Sequence, residues 1–250
     1  MAQIEVRLLG VPELLVAGVP LDLQQQKARA LMFYLGATGR AHARDHLATL
    51  LWSESDAPGA YHSLRSTLYL LRRALQAYGA GDSLVIDRAL VSLQPQALLC
   101  DLLRFHELVT ENTENALAEA VALCRGPILQ GFTLRDAPEF DRWQRHTATD
   151  LLTSCRAAIE RLIDLAARRR SRSEFVRYLH LLTQLDPLDE PAQRRLINAY
   201  LEEGLVARAM RQFEAFEAEL RQELGVAPEP ETSALIRQAL LRRGKPSRLS

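Results

Sequence analysis

The 250-residue sequence predicts a mainly α-helical chain with a small β part, divided into two domains. Three observations carry that expectation. Short alternating runs separated by Gly- and Pro-containing turns occupy residues 4–23 and return at 84–93. An apolar period of 3.6 runs through 27–79 and through nearly everything beyond Asp101. A shift of 34 residues, the tetratricopeptide length, carries Leu162, Leu179 and Pro187 onto Leu196, Phe213 and Arg221.

From the N-terminus, Ile4, Val6 and Leu8 alternate with polar residues, Gly10-Val11-Pro12 breaks the run, and 14–16 resume it. Ala17-Gly18-Val19-Pro20 then turns the chain into a third strand at 21–23. Residues 27–38 place Ala28, Leu31, Met32 and Leu35 on one helical face and stop at Gly39, which suits a left-handed C-cap. A shorter helix over 43–52 turns Leu47, Leu50 and Leu51 inward; its entry reads Ala41-His42-Ala43, so its cap is weak or comes from the imidazole. Past a polar loop, Asp56 is placed to cap a long helix over 58–79, with Pro58 in the first turn, where no amide hydrogen is needed. Residues 84–86 and 90–93 flank Asp87-Arg88-Ala89 as a hairpin with Arg88 at its tip. Antiparallel sheet, three helices and a hairpin wing make a winged helix over residues 1–96.

The long helix is the most informative stretch. At ~100° per residue Ala60, Leu64, Leu68, Leu71 and Leu75 form one stripe. His62, Arg65, Tyr69, Arg72 and Arg73 stand opposite, with Ser66 at the edge of their sector. Outward charge on an amphipathic helix is ordinarily a solvated face, and it is the flanking sheet and wing that raise this one to a candidate. Its guanidiniums, hydroxyls and imidazole suit the major groove, where Arg bonds bidentately to guanine O6 and N7. Lys27, Arg29, Arg40 and Arg44 are the candidates for phosphate contact, and Arg88 on the wing for the adjacent minor groove.

The charge balance is even, 31 basic against 31 acidic residues. Residues 1–95 carry nine Lys and Arg against eight Asp and Glu, so phosphate neutralisation must come from local clustering and affinity for any polyanion should be modest. With 48% hydrophobic residues the chain can bury two cores. Cys100, Cys124 and Cys155 are odd in number and widely spaced, which argues for buried thiols in a reducing compartment rather than a zinc site. With neither a signal segment nor an apolar run of ~18 residues, the expected location is cytoplasmic. No Walker-type loop, GxGxxG, GxSxG or HExxH occurs, so the sequence argues against an enzyme and names no cofactor. His42 and His46 stand four apart with no third metal ligand nearby.

Residues 97–243 read as a helical domain. In its second repeat Leu196, Tyr200, Ala209 and Phe213 stand at the spacing that seats a small residue of one helix against a large one of its neighbour, with Gly204 at the turn. The first repeat has Ala166 and Phe175 at two of those places, so the pattern is two degenerate helical hairpins, tetratricopeptide-like rather than a regular array. The stack either leaves a concave surface for a partner or is filled by helices at 101–125 and 139–170. Phe140 and Trp143, at the start of the longest helix, are expected to anchor it to the turn at 126–131. The Arg168–Arg172 stretch is expected to be a solvated loop, and 244–250 a linker or tail.

The segments KARALMFYLGATGRAHARDHLATLLW and SLRSTLYLLRRAL resemble the OmpR-type winged helix that opens the SARP-type transcription activators. DLLRFHELV, CRGPILQGF, APEFDRWQ, LDPLDEPAQRRLINAYLEEG and ELGVAPEPET resemble the bacterial transcriptional activator domain that follows it in that family. The resemblance implies a DNA-binding activator with residues 58–79 in the major groove and RNA polymerase as a partner. It also implies homodimeric or tandem binding on repeated half-sites. In such proteins this pair of domains often precedes a larger region, which makes the chain a short regulator or a fragment. The near-neutral winged helix keeps an alternative open, a protein-interaction or signal-relay module of a larger regulator without DNA binding of its own.

Overall fold

The computed structural model describes residues 2–243, and the tail expected at 244–250 lies outside the described residues. The chain divides into two compact units, 1–155 and 156–250, a later division than the one drawn at 96/97 from the sequence. In the first unit the order is β1 (Ile4–Arg7), β2 (Glu13–Val16), β3 (Val19–Pro20), α1 (Gln26–Thr38), β4 (His42–Ala43), α2 (Arg44–Trp52) and α3 (Ala57–Ala77). There follow β5 (Leu84–Ile86), β6 (Leu90–Leu93), β7 (Leu98–Cys100), α4 (Asp101–Glu111), α5 (Glu114–Leu123) and α6 (Pro138–Arg168), within which the division falls.

The third strand is Val19–Pro20 rather than 21–23. Ala17 and Gly18 both adopt positive φ, 51° and 77°, and close a two-residue hairpin, so Val19 already lies opposite Val16. Two strands escaped the sequence pattern altogether. β7 adds in parallel to β1, giving the sheet order β3-β2-β1-β7, and β4 pairs with β6 to make the wing three-stranded, in the order β4-β6-β5.

Helix α1 is buried almost all round, from Ala28 to Ala37. A Cβ added at Gly36 would lie 2.7 Å from Val6 Cγ1, so the helix crosses β1 at backbone distance. Gly39, at φ 61°, ends it as expected, donating its N–H to Leu35 O at 3.0 Å. Helix α2 begins at Ala43 without a side-chain cap, because the His42 imidazole turns inward and meets Thr38 Oγ1 at 2.8 Å. Helix α3 is capped by Asp56, whose Oδ1 accepts the Gly59 N–H at 3.1 Å. Its stripe of Ala60, Leu64, Leu68, Leu71 and Leu75 is buried. Burying those four leucines contributes roughly 6–12 kcal/mol before chain entropy is counted.

The winged helix is closed by the residues that follow it. The Asp101 carboxylate, at the first residue of α4, accepts the amides of Leu8 at 2.7 Å and Leu9 at 3.1 Å and pairs with Arg125 at 2.9 Å. The segment after α5 then pairs with the end of β1: Leu129 N–H donates to Leu8 O, Gln130 N–H to Gly10 O, and Gly10 N–H to Pro127 O. Phe140 and Trp143 do more than hold the 126–131 turn. A run of edge-on rings leads from Phe140 to Phe132 and Phe33, and Trp143 packs 5.0 Å from Tyr34, so both side chains seat α6 on α1. Cys124 is half-buried and hydrogen-bonded to Cys155, so two thiols that are remote in sequence touch in space.

In the second unit α7 (Arg172–Leu185), α8 (Glu190–Glu202), α9 (Val206–Glu223) and α10 (Pro230–Arg243) follow the end of α6. Pro187 lies just past α7 and Gly204, at φ 72°, turns α8 into α9, as the repeat requires. Leu196, Tyr200 and Ala209 are buried and Phe213 half-buried. Arg172 is no free loop cation: it donates to Glu202, Glu203 and the Ala199 carbonyl, tying α7 to α8. Arg195 reaches Glu160 on α6 through both carboxylate oxygens at 2.8 Å, and Arg194 Nε donates to the buried Thr232 Oγ1 on α10.

Leu68→Ala should destabilise the first unit by about 2–5 kcal/mol, because the helix face around it cannot collapse onto α1. Asp101→Ala should cost about 1–3 kcal/mol by orphaning two amides. Thermal melts of both variants check these values, with Arg65→Ala as the control that should melt within about 1 °C of the parent.

Candidate nucleic-acid interface

The leucine stripe of α3 fixes which way the helix is turned, and the opposite face carries His62, Arg65, Ser66, Tyr69, Arg72 and Arg73, all exposed. Tyr69 is the most exposed of the large hydrophobic side chains of α3, at 61%, and the Arg73 guanidinium lies 5.9 Å from the centroid of its ring. Arg72 differs from its neighbours in donating a hydrogen bond to the backbone of another element, the Leu84 carbonyl at 3.3 Å. Two further residues share the exposed side of α3 without having been signalled by the sequence. Leu70, at 38% exposure, adds an apolar group at the margin, and Tyr61 donates its hydroxyl to the Asp45 carboxylate, joining α3 to α2.

At the wing, the Asp87 carboxylate accepts the amides of Leu90 at 2.6 Å and Ala89 at 2.7 Å. Those bonds, with Arg44 nearby, hold its carboxyl below the usual range and fix the shape of the tip that presents the exposed Arg88. Arg44 is drawn to the same place because its own amide donates to Ala89 O at 3.0 Å, a consequence of β4 pairing with β6. Nothing in the spacing of Arg44 and Ala89 announced that pairing.

The remaining cations diverge. Arg40 is exposed beside the Tyr34 hydroxyl, to which it contributes a hydrogen bond. Lys27 lies 5.3 Å from the Trp52 ring, where burial pushes its ammonium below the ordinary value. Arg29 sits between Phe33 at 5.8 Å and Phe132 at 5.5 Å. Both of these cations are half-buried, with their stems and charges set against rings that pack α1 on its neighbours.

His42 and His46 stack at 5.5 Å, but His42 is 6% exposed and bonded to Thr38, while His46 Nε2 shares a 2.7 Å hydrogen bond with the Tyr34 hydroxyl. Both nitrogens that face inward are taken, and among the described residues no group of three or more His, Cys, Asp and Glu is arranged to hold a metal ion. No described helix is long and apolar enough to cross a membrane.

Residues 100–240 match the profile of the bacterial transcriptional activator domain, more than half of the chain. The chain belongs to that family. Its relatives place it among the SARP-type transcriptional regulators, and the winged helix followed by a helical domain is their arrangement. It is 28% identical over 247 residues to the transcriptional regulatory protein EmbR of Mycobacterium tuberculosis and of Mycobacterium bovis, an alignment covering 93% of this chain and 62% of the relative. The solved structure of Mycobacterium tuberculosis EmbR in complex with a low affinity phosphopeptide superposes on 97% of this chain with a TM-score of 0.60 at 25% identity. It covers 66% of that protein, so this SARP-type chain spans about two thirds of the length of the regulators it matches.

Burial pushes the His42 imidazole down to about 4 from 6.5, with Arg40 and His46 adding to the effect. The folded-state value lies below the unfolded one, so the contribution of the neutral ring is complete above about pH 6.5 and drains away as pH falls towards about 4. Melting temperatures measured across that window should fall more steeply for the parent than for His42→Gln, which cannot take up the proton.

Proposed function

We propose that the chain is a sequence-specific, DNA-binding transcriptional regulator of the cytoplasm, acting as an activator. It reads the major groove with the exposed face of α3. The observation that carries this proposal is the single row of donors, His62, Arg65, Ser66, Tyr69, Arg72 and Arg73, turned outward by a buried stripe and flanked by a wing with an exposed arginine. Arg65, Tyr69 and Arg73 face the bases; Arg44 and Arg40 meet phosphates; Arg88 enters the neighbouring minor groove. The helical domain supplies the surface for RNA polymerase and for self-association. With nine basic against eight acidic residues in 1–95, and Lys27 and Arg29 occupied by aromatic rings, one protomer holds few phosphates. Binding as a homodimer or in tandem on repeated half-sites follows from that shortage.

The same shortage favours the second reading, a module that meets proteins and leaves DNA binding to other parts of a larger regulator. Fluorescence anisotropy with a DNA pool across a salt series separates the two. A DNA binder loses roughly 0.9 log units of affinity per log unit of salt for each phosphate neutralised. A response that stays flat for every sequence would favour the protein module. Selection from random DNA should show Arg65→Ala relaxing one position of the motif, by about 1–3 kcal/mol, while Arg44→Ala weakens all sequences alike. If both variants shift the selected motif equally, the division of labour on α3 and α2 is wrong.

A further inference from the structure

The hydrogen bond from Arg72 to Leu84 sets it apart on the exposed face, and the ladder of the wing explains why the bond is there. Ser83 O accepts the Gln94 amide at 2.8 Å and the Asp87 amide donates to Leu90 O at 3.0 Å. Since β5 and β6 pair antiparallel with Leu84 opposite Leu93 and Val85 opposite Ser92, the hydrogen-bonded pairs are 83 with 94, 85 with 92, and 87 with 90. Leu84 therefore belongs to a non-hydrogen-bonded pair, and its carbonyl points away from β6. In the order β4-β6-β5 that direction is the free edge of the sheet. Arg72 Nη2 donates to this edge carbonyl at 3.3 Å. The Leu84 side chain is buried, so the acceptor cannot swing away from the helix.

Helical geometry agrees. On a wheel centred on the exposed sector, His62, Ser66, Tyr69 and Arg73 cluster near its middle, while Arg72 falls at the flank, beside the buried stripe of Leu68 and Leu75. Arg65 shares that flank two turns earlier, so it is the bond to the Leu84 carbonyl that sets Arg72 apart from it.

We infer that Arg72 is a positioning residue rather than a base reader: its guanidinium ties the free edge of the wing to α3 and so sets the distance between the reading face and Arg88. This inference rests on the DNA-reading proposal for its consequence, but the tie itself is a property of the free protein. Arg72 holds the strand whose turn carries Arg88, and Arg88 delivers its contact only while that strand is held.

The experiment has two arms. In the DNA-free protein, amide hydrogen exchange over residues 84–93 should quicken in Arg72→Ala and stay near parental in Arg65→Ala, with the melting temperature of both within about 2 °C of the parent. Unchanged exchange in Arg72→Ala overturns the tie. In the DNA arm, affinities of the parent, Arg72→Ala, Arg88→Ala and the double variant form a cycle. Removing Arg88 should weaken binding by about threefold or more in the parent and by much less once Arg72 is gone, while Arg65→Ala and Arg88→Ala combine additively. Arg72→Lys should recover part of the loss, since it keeps both the charge and a donor. Additive losses for Arg72 and Arg88, together with a changed base preference at one position in Arg72→Ala, would make Arg72 a reader and overturn the inference. Absence of binding by the parent to any sequence would overturn the DNA-reading proposal instead, and the exchange arm alone would then decide the tie.

Discussion

The candidate reading face follows from how α3 is turned about its own axis. Leu64, Leu68, Leu71 and Leu75 can leave water in only one orientation, and that orientation puts His62, Ser66, Tyr69 and Arg73 on the far side. A rotation by one residue, ~100°, would drive guanidiniums into the core, at a desolvation cost far above what packing returns. The donor face is thus a rigid consequence of apolar burial, available before any partner arrives. Asp56 at the start of the helix and Gly81 folded against Gln76 beyond its end keep the segment in register with the loop before it and the wing after it.

The winged helix does not close on itself. Its sheet takes β7 as a fourth strand, its first strand is extended by pairing with 127–130, and the amides of Leu8 and Leu9 end on the Asp101 carboxylate. The matched activator domain begins at residue 100, so its opening residues complete the sheet that supports the candidate interface. Trp143 against Tyr34, and Tyr34 against His46, carry contact from α6 through α1 to α2. A shift of α6 on α1 would be felt at the entry of α2, which stands beside the wing tip. The physical basis is packing of aromatic edges and one part-buried hydrogen bond, both sensitive to displacement.

Electrostatics limits what this arrangement can do. Cation–π contacts engage Lys27 and Arg29, ion pairs hold Arg7, and Arg72 is bonded to the wing. The exposed cations of the winged helix are Arg65, Arg72 and Arg73 on α3, Arg88 at the wing tip and Arg40 just before β4, in place of a diffuse basic surface. Such a distribution favours recognition by geometry over long-range attraction, with weak affinity for any polyanion lacking the right shape.

The sequence by itself determined the elements whose signal is local: the capped, two-faced helix at 57–77, the wing strands, the Gly39 and Gly204 turns, and the helical hairpins of the second unit. Each is written in the periodicity and capping of neighbouring residues, which is why Asp56, Pro58 and the leucine stripe could be assigned from spacing alone. Only the tertiary structure decided what depends on residues far apart in the chain. β4 and β7 are too short to show an alternating pattern, and Asp101 gives no hint of Leu8. Arg72 looks like any other outward arginine until the register of β5 leaves the Leu84 carbonyl on a free edge. Hydrogen-bond partners across a sheet edge follow from how strands pair in space, and no local run of side chains encodes that pairing.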